Sequence, residues 1–313
     1  MTRPEFIMLV GLPGSGKSYL AKEYADKGFV IHSSDEIRRE ISGDVNRQDI
    51  NAEVFKVLHN RVKDDLKCGR SCVYDATNIS YKRRKAFLQE LSSIECTKIC
   101  ILIATPYEVC LDQNRLRERN VPDNVIERMY KNFDVPYWYE GWDDILLHYG
   151  KDTYKTAYGP WHQFIYDTLS FNQDNKHHKT TLGEHCRLCL DYVRGYCEDD
   201  PFYTEVSFQL QRAAALHDCG KPFCKTYVDS KGNPSDTAHY YSHEKVSSYN
   251  SLFFDTDSKN NYLALEIAAL IRWHMQMHYI DKDPHIETKY KKLLGESFYI
   301  VLDVLHRGDL NAH

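Results

Sequence analysis

The chain has 313 residues, room for two ordinary domains, and its 40 Lys+Arg against 45 Asp+Glu leave a formal charge of −5. Neither half carries the surplus of Lys and Arg that would coat a nucleic acid, so any polynucleotide contact has to come from a local groove rather than a global field. Ten cysteines without a regular framework, no signal-peptide pattern and no 18-residue apolar run point to free thiols in a reducing cytoplasm, away from membranes.

In chain order, Phe6 to Val10 is an apolar run that ends in a glycine-rich turn, and a helical pattern follows from Lys17 to Lys27. Short apolar runs at Phe29 to His32, Ser71 to Tyr74 and Lys98 to Ala104 then alternate with helix-like stretches at Asn51 to Leu66 and Tyr81 to Leu91. That alternation predicts a parallel sheet covered by helices. Tyr107 to Phe133 is charged and helical in pattern, with Pro122 near the start of its second helix, where a missing N–H costs nothing. From about Lys151 to residue 175 the chain turns aromatic and polar, which places a junction at 151–175 between a first domain, 1–150, and a second, 176–313. Beyond it helical periods dominate, at Leu182 to Tyr196, Val206 to Leu216, Tyr262 to Trp273 and Phe298 to Leu305, and the second domain reads as all-α.

The glycine-rich turn is GLPGSGKS, residues 11 to 18. A strand before it and a helix after it are the context in which such a loop curls its N–H groups around phosphates, at the positive end of the helix. Lys17 would reach the β and γ phosphates of ATP, and Ser18 would ligate Mg²⁺. At the end of the next strand, HSSDEIRRE places Asp35 and Arg38 one helical turn apart, on the sheet edge where α/β folds bind ligands. A carboxylate there can accept the proton of an attacking hydroxyl beside an arginine that holds an anion, although Asp35 also suits an ordinary helix cap. The third strand ends in VYDATN, with Asp75 as a candidate Mg²⁺-orienting carboxylate and Asn78 as a substrate contact. The basic run Lys82 to Lys85 reads as a solvated helix face. Arg115, Arg117 and Arg119 could close over the phosphates as a lid.

Together these motifs resemble the 5′-hydroxyl polynucleotide kinase family over Phe6 to Pro136: the phosphate loop, Ser-Asp-x-x-Arg at 34 to 38, Asp75-Ala-Thr-Asn78, and the R-x-R…VP…VI lid. The resemblance implies an α/β P-loop NTPase domain. Its nucleotide set is Gly11, Pro13, Gly14, Ser15, Gly16, Lys17, Ser18 and Tyr19, joined by Arg119 and Arg115 from the lid. It makes Asp35 the base for the 5′-hydroxyl and Arg38 a clamp on the neighbouring phosphate, with Asp75 and Asn78 touching substrate. Kinases of small molecules and of aminoacylated tRNA share much of the pattern.

The second half holds His185, the pair His217-Asp218 in ALHDCGK, His243, His274 and Asp309, each in a helical pattern. Imidazoles and carboxylates from several helices can converge on one or two cations inside a bundle. Their order resembles the HD phosphohydrolase superfamily over about Asn172 to His313. The resemblance implies an HD domain with His185, His217, Asp218 and Asp309 as primary metal ligands. His243 and His274 would complete a second metal site, Lys221 would face the scissile phosphate, and His178 would line the pocket. The cations would be Mn²⁺, Ni²⁺, Co²⁺, Fe²⁺ or Mg²⁺. His239 and His278 read as surface or supporting residues, and Cys186-x-x-Cys189 as buried thiols rather than a zinc site.

A kinase and a phosphohydrolase on one chain imply an enzyme that heals broken nucleic-acid ends, RNA more than DNA. One activity phosphorylates a 5′-hydroxyl, and the other hydrolyses 2′,3′-cyclic or terminal 2′/3′ phosphates, before a separate ligase acts. Known fusions of the two modules carry the HD part first, the reverse of the order here. The alternatives are a small-molecule or nucleoside kinase with an HD nucleotidase, and an ATP-gated HD phosphohydrolase.

Overall fold

A computed structural model describes residues 3–117, 119–149, 158–175, 179–199, 203–254 and 261–312. The chain divides into two compact units, Met1–Met129 with Pro136–Thr153, and Tyr130–Val135 with Tyr154–His313.

The first unit alternates strand and helix as β1 (Glu5–Val10), α1 (Lys17–Asp26), β2 (Val30–Ser33), α2 (Ser34–Ser42), α3 (Asn51–Lys67), β3 (Cys72–Asp75) and α4 (Tyr81–Glu90). It continues with β4 (Thr97–Ala104), α5 (Tyr107–Arg115), α6 (Asp123–Lys131) as far as Met129, and β5 (Asp144–Tyr149). The five strands are parallel in the order β2-β3-β1-β4-β5. β1 is central and buried on both faces, which is why it reads as an unbroken apolar run rather than an alternating one. On one face Ile7 and Leu9 pack with Leu20 and Ala21 of α1, Val73, Ile101 and Ile103. On the other, the Phe6 ring meets Tyr74, Phe87 and Trp142. β5 was not anticipated from sequence. It is an edge strand whose buried residues, Ile145 and Leu147, are only two, too few to stand out as an apolar run.

The second unit is mostly helical: α7 (Trp161–Asp167), α8 (Leu182–Asp199), α9 (Ser207–Leu216), α10 (Lys221–Cys224), α11 (His243–Asn250), α12 (Asn261–Lys282), α13 (Glu287–Leu294) and α14 (Glu296–Leu310). The expectation of an all-α domain needs correcting, because an antiparallel hairpin, β6 (Thr226–Val228) with β7 (Pro234–His239), stands between α10 and α11. Its strands are short and largely exposed, so they lack the apolar alternation that announces a half-buried strand. The expected junction, for its part, contains α7, which packs closely on α8: a Cβ on Gly183 would meet Ile165 O at 2.3 Å. Gly308 gives α14 a similar approach to Cys189 on α8, where a Cβ would lie 3.1 Å from the thiol sulfur. No described helix is long and apolar enough to cross a membrane.

Candidate active sites

The phosphate loop leaves the C-terminal end of β1. Its glycines are required by contacts as well as by conformation: Gly14 has φ +82°, and a Cβ there would sit 2.2 Å from Cys110 O. Gly16, at φ 99°, caps α1 in the left-handed region. Lys17 is buried and donates to Gly11 O at 3.0 Å and Leu12 O at 2.7 Å. Burial pushes its ammonium below the usual range, against the pull of Asp75. Ser18 donates to Asp75 Oδ2 at 3.3 Å, and burial raises the Asp75 carboxyl although Lys17 opposes the shift. A hydroxyl in the first turn of α1 and a carboxylate at the end of β3 are hard oxygen donors of the kind Mg²⁺ takes. Tyr19 is exposed on the cleft wall with Pro13.

The same cleft, about 1080 Å³, contains Asp35 and Arg38. Asp35 is gripped on both oxygens: Arg38 Nη1 donates to Oδ1 at 2.8 Å and Arg119 Nη1 to Oδ2 at 2.6 Å. Arg38 is buried and also donates to Asn51 Oδ1 at 2.7 Å, while its Nε has no partner. Arg119 is anchored further by Asn46 Oδ1 and Val45 O. Five arginines, Arg38, Arg83, Arg117, Arg119 and Arg128, line the cleft beside Lys17, against two acids, Asp35 and Asp75. A unit close to neutral overall therefore concentrates positive charge in one place, where low-dielectric walls strengthen its field.

Two predicted site residues stand elsewhere. Arg115 lies off the cleft, its guanidinium exposed and paired with Asp123 Oδ2 at 2.7 Å and Asp112 Oδ1 at 3.3 Å. It occupies the last turn of α5 and points to neighbouring surface acids, whereas the chain beyond that turn carries Arg117 and Arg119 inward. Asn78 is a structural residue: with φ 49° it turns the loop after β3, and its amide donates to Leu9 O at 2.8 Å. The basic run also departs from a solvated face. Arg84 is 1% exposed and forms a bidentate pair with Glu140, Nε to Oε2 at 2.7 Å and Nη2 to Oε1 at 2.6 Å, with Nη1 on Asn78 O at 2.7 Å. Arg83 and Arg128 line the cleft without having been singled out, since no local pattern separates them from the surface arginines around them.

In the helical unit His185 (α8), His217 and Asp218 (after α9), Lys221 (α10), His243 (α11), His274 (α12) and Asp309 (α14) come together, all of them buried. Gly220 permits it, since a Cβ there would collide with His243 O and Ser247 N, both at 2.7 Å. Two groups of donors result, His185 with His217 and Asp309, and Asp218 with His243 and His274. In every one of the four histidines Nδ1 meets a backbone carbonyl: Ala312 at 3.0 Å, Ala214 at 2.8 Å, Tyr240 at 2.8 Å and Ile271 at 2.6 Å, in that order. A carbonyl only accepts, so each Nδ1 carries the hydrogen and each Nε2 is left facing the cluster. His185 Nε2 and His217 Nε2 stand 3.1 Å apart, and the Nε2 atoms of His243 and His274 have no hydrogen bond.

Electrostatics sharpen the picture. Burial alone would lower the His217 imidazole, but Asp218 and Asp309 override it and raise it to about 10. Burial likewise opposes ionisation of Asp218, yet Lys221 and His217 hold it well below the carboxylate range, and His185, His217 and His278 do the same for Asp309. Burial drives the His274 imidazole well down, and the neighbouring His217 and His243 rings add to the shift. Imidazoles converging with two buried carboxylates are a donor set that can hold a cation, and nitrogen with oxygen suits a divalent transition metal. Lys221 Nζ donates to Asp218 Oδ2 at 2.7 Å and to Gln173 Oε1 at 2.8 Å. His178 lies outside the described residues. Cys186 and Cys189 are free, buried thiols that burial pushes far above the usual range, which leaves them unreactive.

Residues 6–136 match the family model described as AAA domain. The N-terminal unit is thus a P-loop kinase-like domain, followed by a helical region. Over 143 residues it is 27% identical to the L-seryl-tRNA(Sec) kinase of Methanococcus maripaludis, which covers 44% of this chain and 55% of that protein. The chain therefore spans about half the length of the curated relative it matches. Among solved structures, a gluconokinase from Sinorhizobium meliloti is 14% identical over 49% of this chain and 86% of its own, with a TM-score of 0.36. The Pnkp1/Rnl/Hen1 RNA repair complex contains a chain 23% identical over 41% of this one and 43% of its own, also at a TM-score of 0.36.

Proposed function

We propose that this protein heals RNA ends with two activities: transfer of the γ-phosphoryl group of ATP to a 5′-hydroxyl polynucleotide end, and metal-dependent hydrolysis of 2′,3′-cyclic or terminal 2′/3′ phosphates. What supports the kinase half most is Asp35, a carboxylate held by Arg38 and Arg119 in the cleft that contains the phosphate loop. Loop N–H groups and Lys17 hold the donor phosphates, and Mg²⁺ bound by Ser18 and Asp75 would neutralise their charge. Asp35 takes the proton of the attacking hydroxyl, Arg38 holds the acceptor's adjacent phosphate, and Arg119 then turns to the transferring group. Arginine in excess of what ATP needs favours an acceptor with phosphates of its own, hence a polynucleotide over a neutral metabolite.

In the helical unit, His185, His217, Asp218 and Asp309, with His243 and His274, would hold one or two divalent cations, which supply Lewis acidity next to a phosphoryl group. The fixed Nδ1–H bonds orient the imidazoles for that purpose, and Lys221 adds positive charge where a phosphate would enter. A separate ligase is the natural next partner.

A second reading rests on the seryl-tRNA(Sec) kinase match: the acceptor would be the hydroxyl of an aminoacyl group on tRNA. Labelled ATP offered with a 5′-hydroxyl oligoribonucleotide bearing a 2′,3′-cyclic phosphate, with seryl-tRNA, or with nucleosides decides among them. Label on the oligonucleotide 5′ end, abolished by Lys17→Ala, together with metal-dependent loss of the cyclic phosphate, abolished by Asp218→Ala, is the expected result. Label on seryl-tRNA or a nucleoside alone would overturn the polynucleotide reading.

A further inference from the structure

One turn beyond the main cluster, the seam between α12 and α14 holds a second set of imidazoles. His278 follows His274 by four residues on α12, and His306 precedes Asp309 by three on α14, so each pair shares a helix face. Ligand atoms of His278, His306 and Asp309 all lie within 4.8 Å of one another. The two rings stand 4.6 Å apart at 88°. His278 Nε2 is 2.8 Å from Asp309 Oδ2, the oxygen opposite the one that faces His185 and His217.

The decisive atom is on His306. This side chain is 3% exposed, and its Nε2 bonds to Asp281 Oδ2 at 2.7 Å. An aspartate accepts, so Nε2 carries the hydrogen and Nδ1 is left with a lone pair. That Nδ1 is buried and has no hydrogen-bond partner. A carboxylate on one ring nitrogen and a bare lone pair on the other is the arrangement of a ligating histidine with its orienting partner. An unsatisfied buried acceptor is destabilising by itself, and a bound cation would satisfy it.

We propose that His306, His278 and Asp309 form a further site for a divalent transition metal of the zinc class, which shares Asp309 with the main cluster and whose cation displaces the hydrogen that His278 Nε2 holds against Asp309 Oδ2. Two imidazoles and one carboxylate are a donor set for Zn²⁺, Co²⁺ or Ni²⁺ rather than Mg²⁺ or Ca²⁺. Asp281 orients His306 and stays outside the ligand set. The His278 side chain, 25% exposed, leaves a way in from solvent. The inference does not depend on the phosphohydrolase reading, because it concerns binding alone.

The test is metal content of the full-length protein after dialysis against Zn²⁺ alone, by elemental analysis, and the visible spectrum after titration with Co²⁺. His306→Gln and His278→Gln are each expected to bind one equivalent less than wild type, whereas His243→Gln retains the seam-bound equivalent. Asp281→Asn is the variant that spares the core, its partner carboxylate being half exposed, and it is expected to weaken that one equivalent about 10- to 100-fold. Wild-type stoichiometry and affinity in His278→Gln and Asp281→Asn would overturn the proposal and leave a hydrogen-bonded support for Asp309.

Discussion

Arg84→Met tests how the kinase cleft is held together. Arg84 and Glu140 side chains are both 0% exposed, and Trp142 Nε1 adds a third donor to the same carboxylate at 3.0 Å. Removing the guanidinium strands a buried carboxylate with one neutral donor and leaves Asn78 O without its partner. Breaking a buried pair in this way costs about 3–5 kcal/mol, because the remaining charge stays desolvated. With a urea dependence of about 2 kcal/mol per molar, the unfolding midpoint of the N-terminal unit should fall by about 2 M. Arg84→Met combined with Glu140→Gln removes the stranded charge and keeps an acceptor for Trp142, so about half of the loss should return. Because Asn78 sits in the turn that follows Asp75, the single variant should also lower phosphoryl transfer measured under folding conditions. The assay is urea unfolding followed by tryptophan fluorescence, with ATP used to mark the transition of the nucleotide-binding unit. A single variant within about 1 kcal/mol of wild type, or a double variant no more stable than the single, would refute the reasoning.

Gly14→Ala forces a side chain into a left-handed backbone and against Cys110 O; equilibrium titration should show ATP binding weakened by more than about 100-fold, on the scale of two such penalties, and binding within threefold would contradict the loop geometry. Arg119→Ala should lower kcat about 10²- to 10³-fold, while the surface-paired Arg115→Ala should stay within about twofold; equal effects in transfer assays would mean that the lid closes differently. Metal uptake by the histidine cluster should tighten as pH rises. A proton and a cation compete for His217, whose imidazole sits at about 10, so calorimetric affinity should gain up to about tenfold per pH unit through neutrality. A flat profile would show that no proton is displaced.

How much of this was legible in the sequence follows from how far apart the cooperating atoms are. The phosphate loop uses eight consecutive residues between a strand and a helix, so its glycines, Lys17 and Ser18 could be read directly. Asp35 and Arg38 are separated by one helical turn, and their ion pair follows from that spacing. The histidines and aspartates of the second unit were recognisable as a set by type and order. Their meeting depends on five helices crossing at one point, and the Nδ1 bonds that turn each Nε2 inward exist only once those helices are packed. The arginines illustrate the limit. Arg84 and Arg83 are neighbours in one basic run, yet one is buried on Glu140, 56 residues away, and the other lines the cleft. Arg115 and Arg119 flank one short stretch and face opposite ways. Sequence determined which side chains were present and which short motifs they formed. Tertiary structure decided which of them share a low-dielectric pocket, since that depends on burial and on partners distant along the chain.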